Sequence, residues 1–112
     1  MAETLRQKQS RFALMVAQLI EHALTMGYQV TLGEAWRSKE EAERLWKLGK
    51  GIKRSLHCDR LAIDINLFKN GKWLTKTEDH QPLGEWWESI GGTWGGRFKD
   101  GNHYSLEHDG RK

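Results

Sequence analysis

Two short segments of the sequence hold side chains that could do chemistry together. His57 is followed seven positions later by Asp64, and Asp100 is followed three positions later by His103. Two imidazoles and one carboxylate form the kind of zinc shell that leaves a coordination place for water. A further carboxylate outside that shell can take the proton of the water and pass it to a leaving amine. Together these groups describe metal-assisted hydrolysis of an amide bond.

The first segment leads into an alternating apolar run. The pattern from Leu61 to Phe68 predicts a β-strand in which Asp64 points away from the apolar face. A carboxylate in such a strand costs free energy unless it is paired or bound to a cation. One straight strand would place His57 and Asp64 on opposite faces, because their offset is odd. We therefore expect a turn around residues 58–60, with His57 just before the strand and Asp64 inside it.

The residues alone leave other interpretations open. Asp100-Gly101-Asn102 could be no more than a turn before a strand, because all three residue types favour turns. His80 and His108 are also available to a metal, and Cys58 offers a better type of zinc ligand than aspartate does. His108 lies in a charged tail and ranks below His103, and we expect Cys58 to be a small buried residue.

Apolar periodicity and turn residues predict the remaining elements. Helices are expected from Thr4 to about Met26, from Ser38 to Gly49, and from Gln81-Pro82 to Gly91-Gly92. Strands are expected at 28–32, 61–68, 72–75 and 103–107, with a type I′ turn at Asn70-Gly71. Residues 76–80 and the glycine-rich segment that begins at Thr93 are expected to be irregular. The pattern predicts an α+β fold in which about three helices pack with a small, mainly antiparallel sheet.

Length and composition limit the possible classes of protein. A chain of 112 residues predicts a single domain, 1–112. No apolar run approaches the roughly 20 residues that span a bilayer, and no secretory signal peptide is visible. The single cysteine excludes an internal disulfide and fits a reducing cytoplasm. The net charge of +3 favours acidic partners, yet the basic residues are scattered and the six tryptophans fall mostly at core spacings. A nucleic-acid binder is therefore the weakest candidate.

The same segments match a known pair of motifs. Ser55-x-His57-x6-Asp64 closely resembles the first zinc motif of the D-alanyl-D-alanine carboxypeptidase-like metallopeptidases. That family includes vancomycin-resistance dipeptidases and phage L-alanyl-D-glutamate endolysins. Trp94-Gly95-Gly96 followed by Asp100 to Tyr104 resembles the second motif. Some relatives have glutamate where this chain has Asp100, and phenylalanine is common where it has Tyr104. The first change fits the endopeptidase branch, and neither argues against hydrolysis.

The resemblance extends from the first helix to about Glu107, and it implies roles at matching positions. One catalytic zinc ion would be bound by three residues, His57, Asp64 and His103. Asp100 would be the general acid and base. Arg37, in Trp36-Arg37-Ser38, matches the family's arginine ahead of the second helix and would hold the substrate carbonyl and the developing oxyanion. Ser55 would support the substrate or the metal shell. The implied fold is that of hedgehog and D,D-peptidase domains.

The resemblance favours a small phage-type endolysin that cuts the peptide stem of peptidoglycan, between L-alanine and D-glutamate. A D-alanyl-D-alanine carboxypeptidase or dipeptidase with the same zinc chemistry is the runner-up, and it needs a closed pocket for a free carboxylate. A non-catalytic, zinc-stabilised wall-binding or virion module would have been favoured by loss of Asp100 or Arg37, and both are present. We expect a monomer without stable membrane insertion. It would accumulate in the host cytoplasm and reach the wall through a separate membrane-permeabilising protein.

Overall fold

One long central strand organises the protein, whose computed structural model describes residues 2–52 and 54–112. The α-helices in these residues are α1 (Leu5–Thr25), α2 (Lys39–Lys47) and α3 (Gln81–Ser89). The strands are β1 (Gln29–Leu32), β2 (Ala62–Lys69), β3 (Lys72–Leu74), β4 (Thr93–Trp94) and β5 (His103–Ser105). Short 3-10 helices span Leu56–Asp59, Thr77–His80 and Gly95–Phe98.

The central strand, β2, pairs with three others. Its first half pairs with β5, its last residues pair with the hairpin strand β3, and β1 pairs along residues 65–68. β4 pairs with β5, and each of these pairings is antiparallel. The predicted α+β class with a small antiparallel sheet is confirmed.

The alternation of β2 divides the molecule into a core side and an open side. Ile63, Ile65 and Leu67 are buried in a cluster with the inner faces of α1 and α3. The α1 contribution recurs at helical spacing and consists of Phe12, Met15, Leu19 and Ala23. Asp64 and Asn66 alternate with the core residues and are only half-buried. The strand therefore presents polar side chains on the face that the core does not cover.

The predicted ends of the first helix are confirmed. The hydroxyl of Thr4 accepts the backbone N–H of Gln7, and the Gln7 side chain accepts the backbone N–H of Thr4. This reciprocal pair satisfies two donors that a helix start leaves free. Gly27 follows the helix at φ 89°, a conformation that glycine adopts without steric cost.

The 3-10 helices, one short strand and the exposure of the tryptophans differ from the sequence predictions. Residues 77–80 and 95–98 form 3-10 helices, and Thr93–Trp94 adds a fifth strand, where we expected irregular chain. The tryptophans are divided: Trp87 and Trp94 are buried, whereas about half of the surface of three others is exposed, namely Trp36, Trp46 and Trp73. In residues 2–52 and 54–112, no helix is long and apolar enough to cross a membrane.

Candidate metal centre

A short 3-10 helix delivers His57 to the start of β2. The Ser55 hydroxyl accepts the backbone N–H of His57 at 3.1 Å and caps this helix. Arg60 then takes a left-handed conformation, φ 56°, which turns the chain into the strand. His57 is almost fully buried, with 3% of its surface exposed. The turn expected before β2 is therefore present, with His57 ahead of the strand and Asp64 inside it.

Strand pairing brings the second segment to the first. Asp64 on β2 lies directly opposite His103 on β5 in the antiparallel register. Asp64 Oδ1 is 3.3 Å from His57 Nε2 and 3.4 Å from His103 Nδ1. The three side chains offer ligand atoms that all lie within 4.8 Å of one another. Residues separated by up to 46 positions in the chain thus converge on one point.

These three residues fit a zinc ion. Asp64 Oδ1 is buried and has no hydrogen-bond partner within the described chain, although it faces two ring nitrogens. Ligand atoms of a tetrahedral zinc ion, with bonds of about 2.0–2.1 Å, lie roughly 3.3–3.4 Å apart, which agrees with the two spacings around Asp64. Burial raises the pKa of Asp64, but the adjacent His103 and His57 rings outweigh it and lower the pKa to about 2. The carboxylate is therefore ionised, as a metal ligand must be.

A tight loop between β4 and β5 holds Asp100 at the edge of this cluster. Its backbone N–H donates to the carbonyl of Gly95, and its own carbonyl accepts the N–H of His103. Asp100 Oδ2 is 3.9 Å from His103 Nδ1, and about half of the side chain is exposed. Burial raises the pKa of Asp100, and the charge of Asp64 adds to the rise, whereas His103 opposes it. A carboxylate with a raised pKa is better suited to hold and release a proton near neutral pH.

Close packing explains the glycines of the second motif. A Cβ on Gly95 would lie 2.2 Å from the carbonyl oxygen of Asp100 and 2.7 Å from Cβ of His103. A Cβ on Gly96 would meet the ring of Trp94. The indole N–H of Trp94 donates to the carbonyl of Gly101 at 2.8 Å. The loop is therefore packed tightly enough to fix Asp100 relative to His103.

Arg37 lies in the connection from β1 to α2, next to the backbone of His57. Its backbone N–H donates to the carbonyl of His57, and 13% of its side chain is exposed. The guanidinium binds the carboxylate of Glu34, with Nε at 2.8 Å from Oε1. Its positive charge also acts to lower the pKa of Asp100, against the net rise, so the two side chains belong to one electrostatic environment.

Sequence reasoning missed Glu34. Its Oε1 is 3.6 Å from His57 Nδ1, on the ring nitrogen opposite the one that faces Asp64. Its backbone carbonyl also accepts the N–H of Asp64 at 2.9 Å. His57 Nδ1 has no hydrogen-bond partner in the described chain, and Glu34 is the carboxylate beside it, in the place of the partner that usually orients a metal-binding histidine. The only sequence signal is a position three residues before Arg37, and it gives no reason to prefer Glu34 over other exposed glutamates.

The alternative ligands lie elsewhere. His80 is buried, with Nδ1 2.8 Å from the hydroxyl of Tyr104, and His108 Nδ1 is 3.1 Å from Nζ of Lys8. Cys58 is half-buried, and its Sγ lies 3.8 Å from the carbonyl oxygen of Ser38. Ser55 is 3% exposed and supports the backbone of His57, so its predicted role toward substrate stays a prediction.

Comparison with known proteins identifies the fold and the family. The structure is similar to the crystal structure of the Serratia marcescens L-Ala D-Glu endopeptidase ChiX, with a TM-score of 0.67 and 20% sequence identity over 81% of this chain and 77% of that chain. At this identity the likeness shows a shared fold. No curated protein matches the sequence. The family model described as D-alanyl-D-alanine carboxypeptidase matches residues 49–106, which include the candidate ligands and Asp100. The chain therefore belongs to the D-alanyl-D-alanine carboxypeptidase family of peptidases.

Proposed function

We propose that the protein is a zinc-dependent peptidoglycan peptidase that hydrolyses the L-alanyl-D-glutamate bond of the peptide stem, as phage endolysins do. The observation that carries the proposal is the convergence of His57, Asp64 and His103, with Asp100 at its edge. This set combines a metal shell of the catalytic type with a carboxylate placed to move protons. The endopeptidase ChiX, which has the same fold, supports the choice of bond.

The residues of this chain divide the work of hydrolysis. A bound zinc ion would act as a Lewis acid, polarising the scissile carbonyl and lowering the pKa of water. His57, Asp64 and His103 would hold the ion. Asp100 would accept the proton of the attacking water on a carboxylate oxygen and return it to the departing amine nitrogen.

Arg37 would stabilise negative charge on the carbonyl oxygen, because its guanidinium is already oriented by Glu34. A donor that is held in place before the reaction needs no reorganisation when the charge develops.

The second candidate is D-alanyl-D-alanine carboxypeptidase or dipeptidase activity, which the description of the family model favours. The two activities would share the residues named above and differ in the substrate that flanks the bond. Asp100 is half-exposed and lines a cavity beside the candidate ligands, which leaves room for a substrate chain that continues past the cleavage point.

One digestion separates these functions. Purified peptidoglycan is incubated with zinc-loaded protein, with and without a chelator, and the new termini are identified by mass spectrometry. New L-alanine carboxyl and D-glutamate amino termini that disappear with the chelator are expected. Release of D-alanine would favour the second candidate, and absence of any cleavage would refute both.

A further inference from the structure

A cavity of about 350 Å³ opens beside the proposed catalytic carboxylate. One wall is the segment 99–102, which begins one residue before Asp100. The other is the chain from Trp73 to the 3-10 helix Thr77–His80. The walls are in close contact at one point, because a Cβ on Gly101 would lie 2.5 Å from Cα of Thr77. The two walls are therefore held together by close packing.

The cavity is connected to the metal centre through Asp100 and strand β2. Asn66, which lines it, is two residues beyond Asp64 on β2 and so shares the open face of the strand. Asp100 lines it as well, and Asp100 Oδ2 is 3.9 Å from His103 Nδ1. A peptide whose scissile amide lies at the metal centre can thus extend into this space.

The charged groups of the cavity favour an anion. Lys76 and Lys99 line it, and within the described chain neither ammonium group forms an ion pair. Asp100 is the acidic residue among the described lining residues, so the lysines outnumber it. His80 also faces the cavity, but burial lowers its pKa to about 4, and it is uncharged at neutral pH.

Lys99 caps the 3-10 helix Gly95–Phe98 and so has a fixed backbone position beside the cavity. Lys99 has φ 64°, a left-handed conformation in which glycine and asparagine are the usual residues. This chain has a long cationic side chain there, next to the proposed catalytic residue. The conformation is that of a helix C-cap, as at Arg60, and it fixes the backbone from which the Lys99 side chain extends.

We propose that this cavity is a subsite for a substrate carboxylate next to the scissile amide, with Lys76 and Lys99 as its counter-ions. This inference rests on the proposed function and adds the chemical class of the neighbouring residue. The exposed ring of Trp73, which stacks on Phe68, offers an apolar wall for the peptide.

Two residues of the peptide stem carry such a carboxylate. D-Glutamate is joined onward through its side-chain carboxyl group, so its α-carboxylate stays free next to the L-alanyl bond. A terminal D-alanine carries its own free carboxylate. Both present the same chemistry to the lysines, and the experiment separates them.

The test compares substrate pairs that differ in one group. A peptide containing L-Ala-D-Glu is compared with its D-isoglutamine analogue, and a peptide ending in D-Ala-D-Ala with its carboxamide. The acid of one pair should be cleaved with a lower KM than its amide, and that pair identifies the source of the carboxylate. Lys99→Gln and Lys76→Gln should each raise the KM of the acid by about two- to fivefold, and added salt should reduce the difference.

Lys72→Gln is the matched control, because Lys72 is exposed on the neighbouring strand and does not line the cavity. It should leave the preference for the acid over the amide as it is in the unsubstituted protein. Equal kcat/KM for acid and amide in both pairs would overturn the subsite while leaving hydrolysis established. An equal effect of Lys72→Gln and Lys99→Gln would also overturn it. If no peptide and no peptidoglycan is cleaved, the proposed function and the subsite both fail.

Discussion

Asp64 is the residue on which the candidate metal centre depends most. Its side chain is half-buried, but Oδ1 is buried between two imidazoles and has no hydrogen-bond partner in the described chain. A buried carboxylate oxygen without a hydrogen-bond donor costs free energy, and a cation at this point would offset that cost. Because the pKa of Asp64 is about 2, its carboxylate is ionised and can bind a cation at any pH near neutrality.

The roles proposed for Asp100 and His57 separate in a pair of variants. Asp100→Ala should keep its zinc but lose activity by a factor of about 10²–10⁴, because only proton transfer is removed. The His57→Ala variant should lose both zinc and activity, since the substitution removes a metal ligand. Zinc content by metal analysis and kcat/KM on peptidoglycan fragments give the two readouts. Full zinc occupancy in the His57 variant would show that the ligand assignment is wrong.

Glu34 should act through its neighbours, because it contacts the guanidinium of Arg37 and lies beside the outer nitrogen of His57. Glu34→Gln keeps the shape of the side chain and removes its charge. We expect zinc affinity to fall by about tenfold or more, as is common when the partner of a metal-binding histidine is changed. Competition with a chromogenic chelator measures the affinity without relying on activity.

Glu41→Gln is the control for this change. Glu41 forms an ion pair with Arg44 on the exposed side of α2, so its neutralisation should leave zinc binding as it is in the unsubstituted protein. If Glu34→Gln binds zinc as tightly as Glu41→Gln does, Glu34 has no positioning role.

The loop that joins β4 to β5 places Asp100 by close packing. Gly95→Ala would bring a Cβ to 2.2 Å from the carbonyl oxygen of Asp100, so the loop must move. A displacement of about 1 Å at such a site can lower kcat/KM by about 100-fold, and overpacking costs roughly 1–3 kcal/mol of stability. Steady-state kinetics and thermal unfolding measure the two effects.

Gly110→Ala provides the comparison for kcat/KM, because its Cβ would meet no atom within 4 Å. It should change kcat/KM by less than about twofold. Wild-type activity in Gly95→Ala would contradict the view that packing of this loop sets the position of Asp100.

Local patterns predicted the elements that carry the first motif. The alternation of β2 and the odd offset between His57 and Asp64 together required a turn, and the 3-10 helix and Arg60 provide it. The two-residue strand β4 was not predictable, because it exists only by pairing with β5 across the loop. The position of Glu34 was not predictable for a similar reason. Its carboxylate comes to lie beside His57 only because β1 pairs with β2. A strand or side chain whose role depends on a partner distant in sequence produces no periodic pattern in its own segment.

Stability of the whole protein should depend on pH through His80. This residue is 3% exposed and its Nδ1 is 2.8 Å from the hydroxyl of Tyr104. Burial lowers its pKa from 6.5 to about 4, and the nearby Asp79 opposes the change only in part. The unfolded chain therefore takes up a proton between about pH 6.5 and 4, whereas the folded protein does not. Stability is fully present above pH 6.5 and is lost as the pH falls through this window.

The size of this loss follows from the difference between the two pKa values, about 2.5, which corresponds to about 3 kcal/mol at most. Urea unfolding of metal-free protein at pH 7.0 and 4.5 measures it, since chelation prevents zinc release from contributing. His80→Gln should show a smaller loss between the two pH values, because glutamine does not titrate. The contribution of Asp64 is lost only between about pH 4 and 2, so it falls outside this interval. An equal loss of stability in the variant and in the unsubstituted protein would assign the pH dependence to other groups.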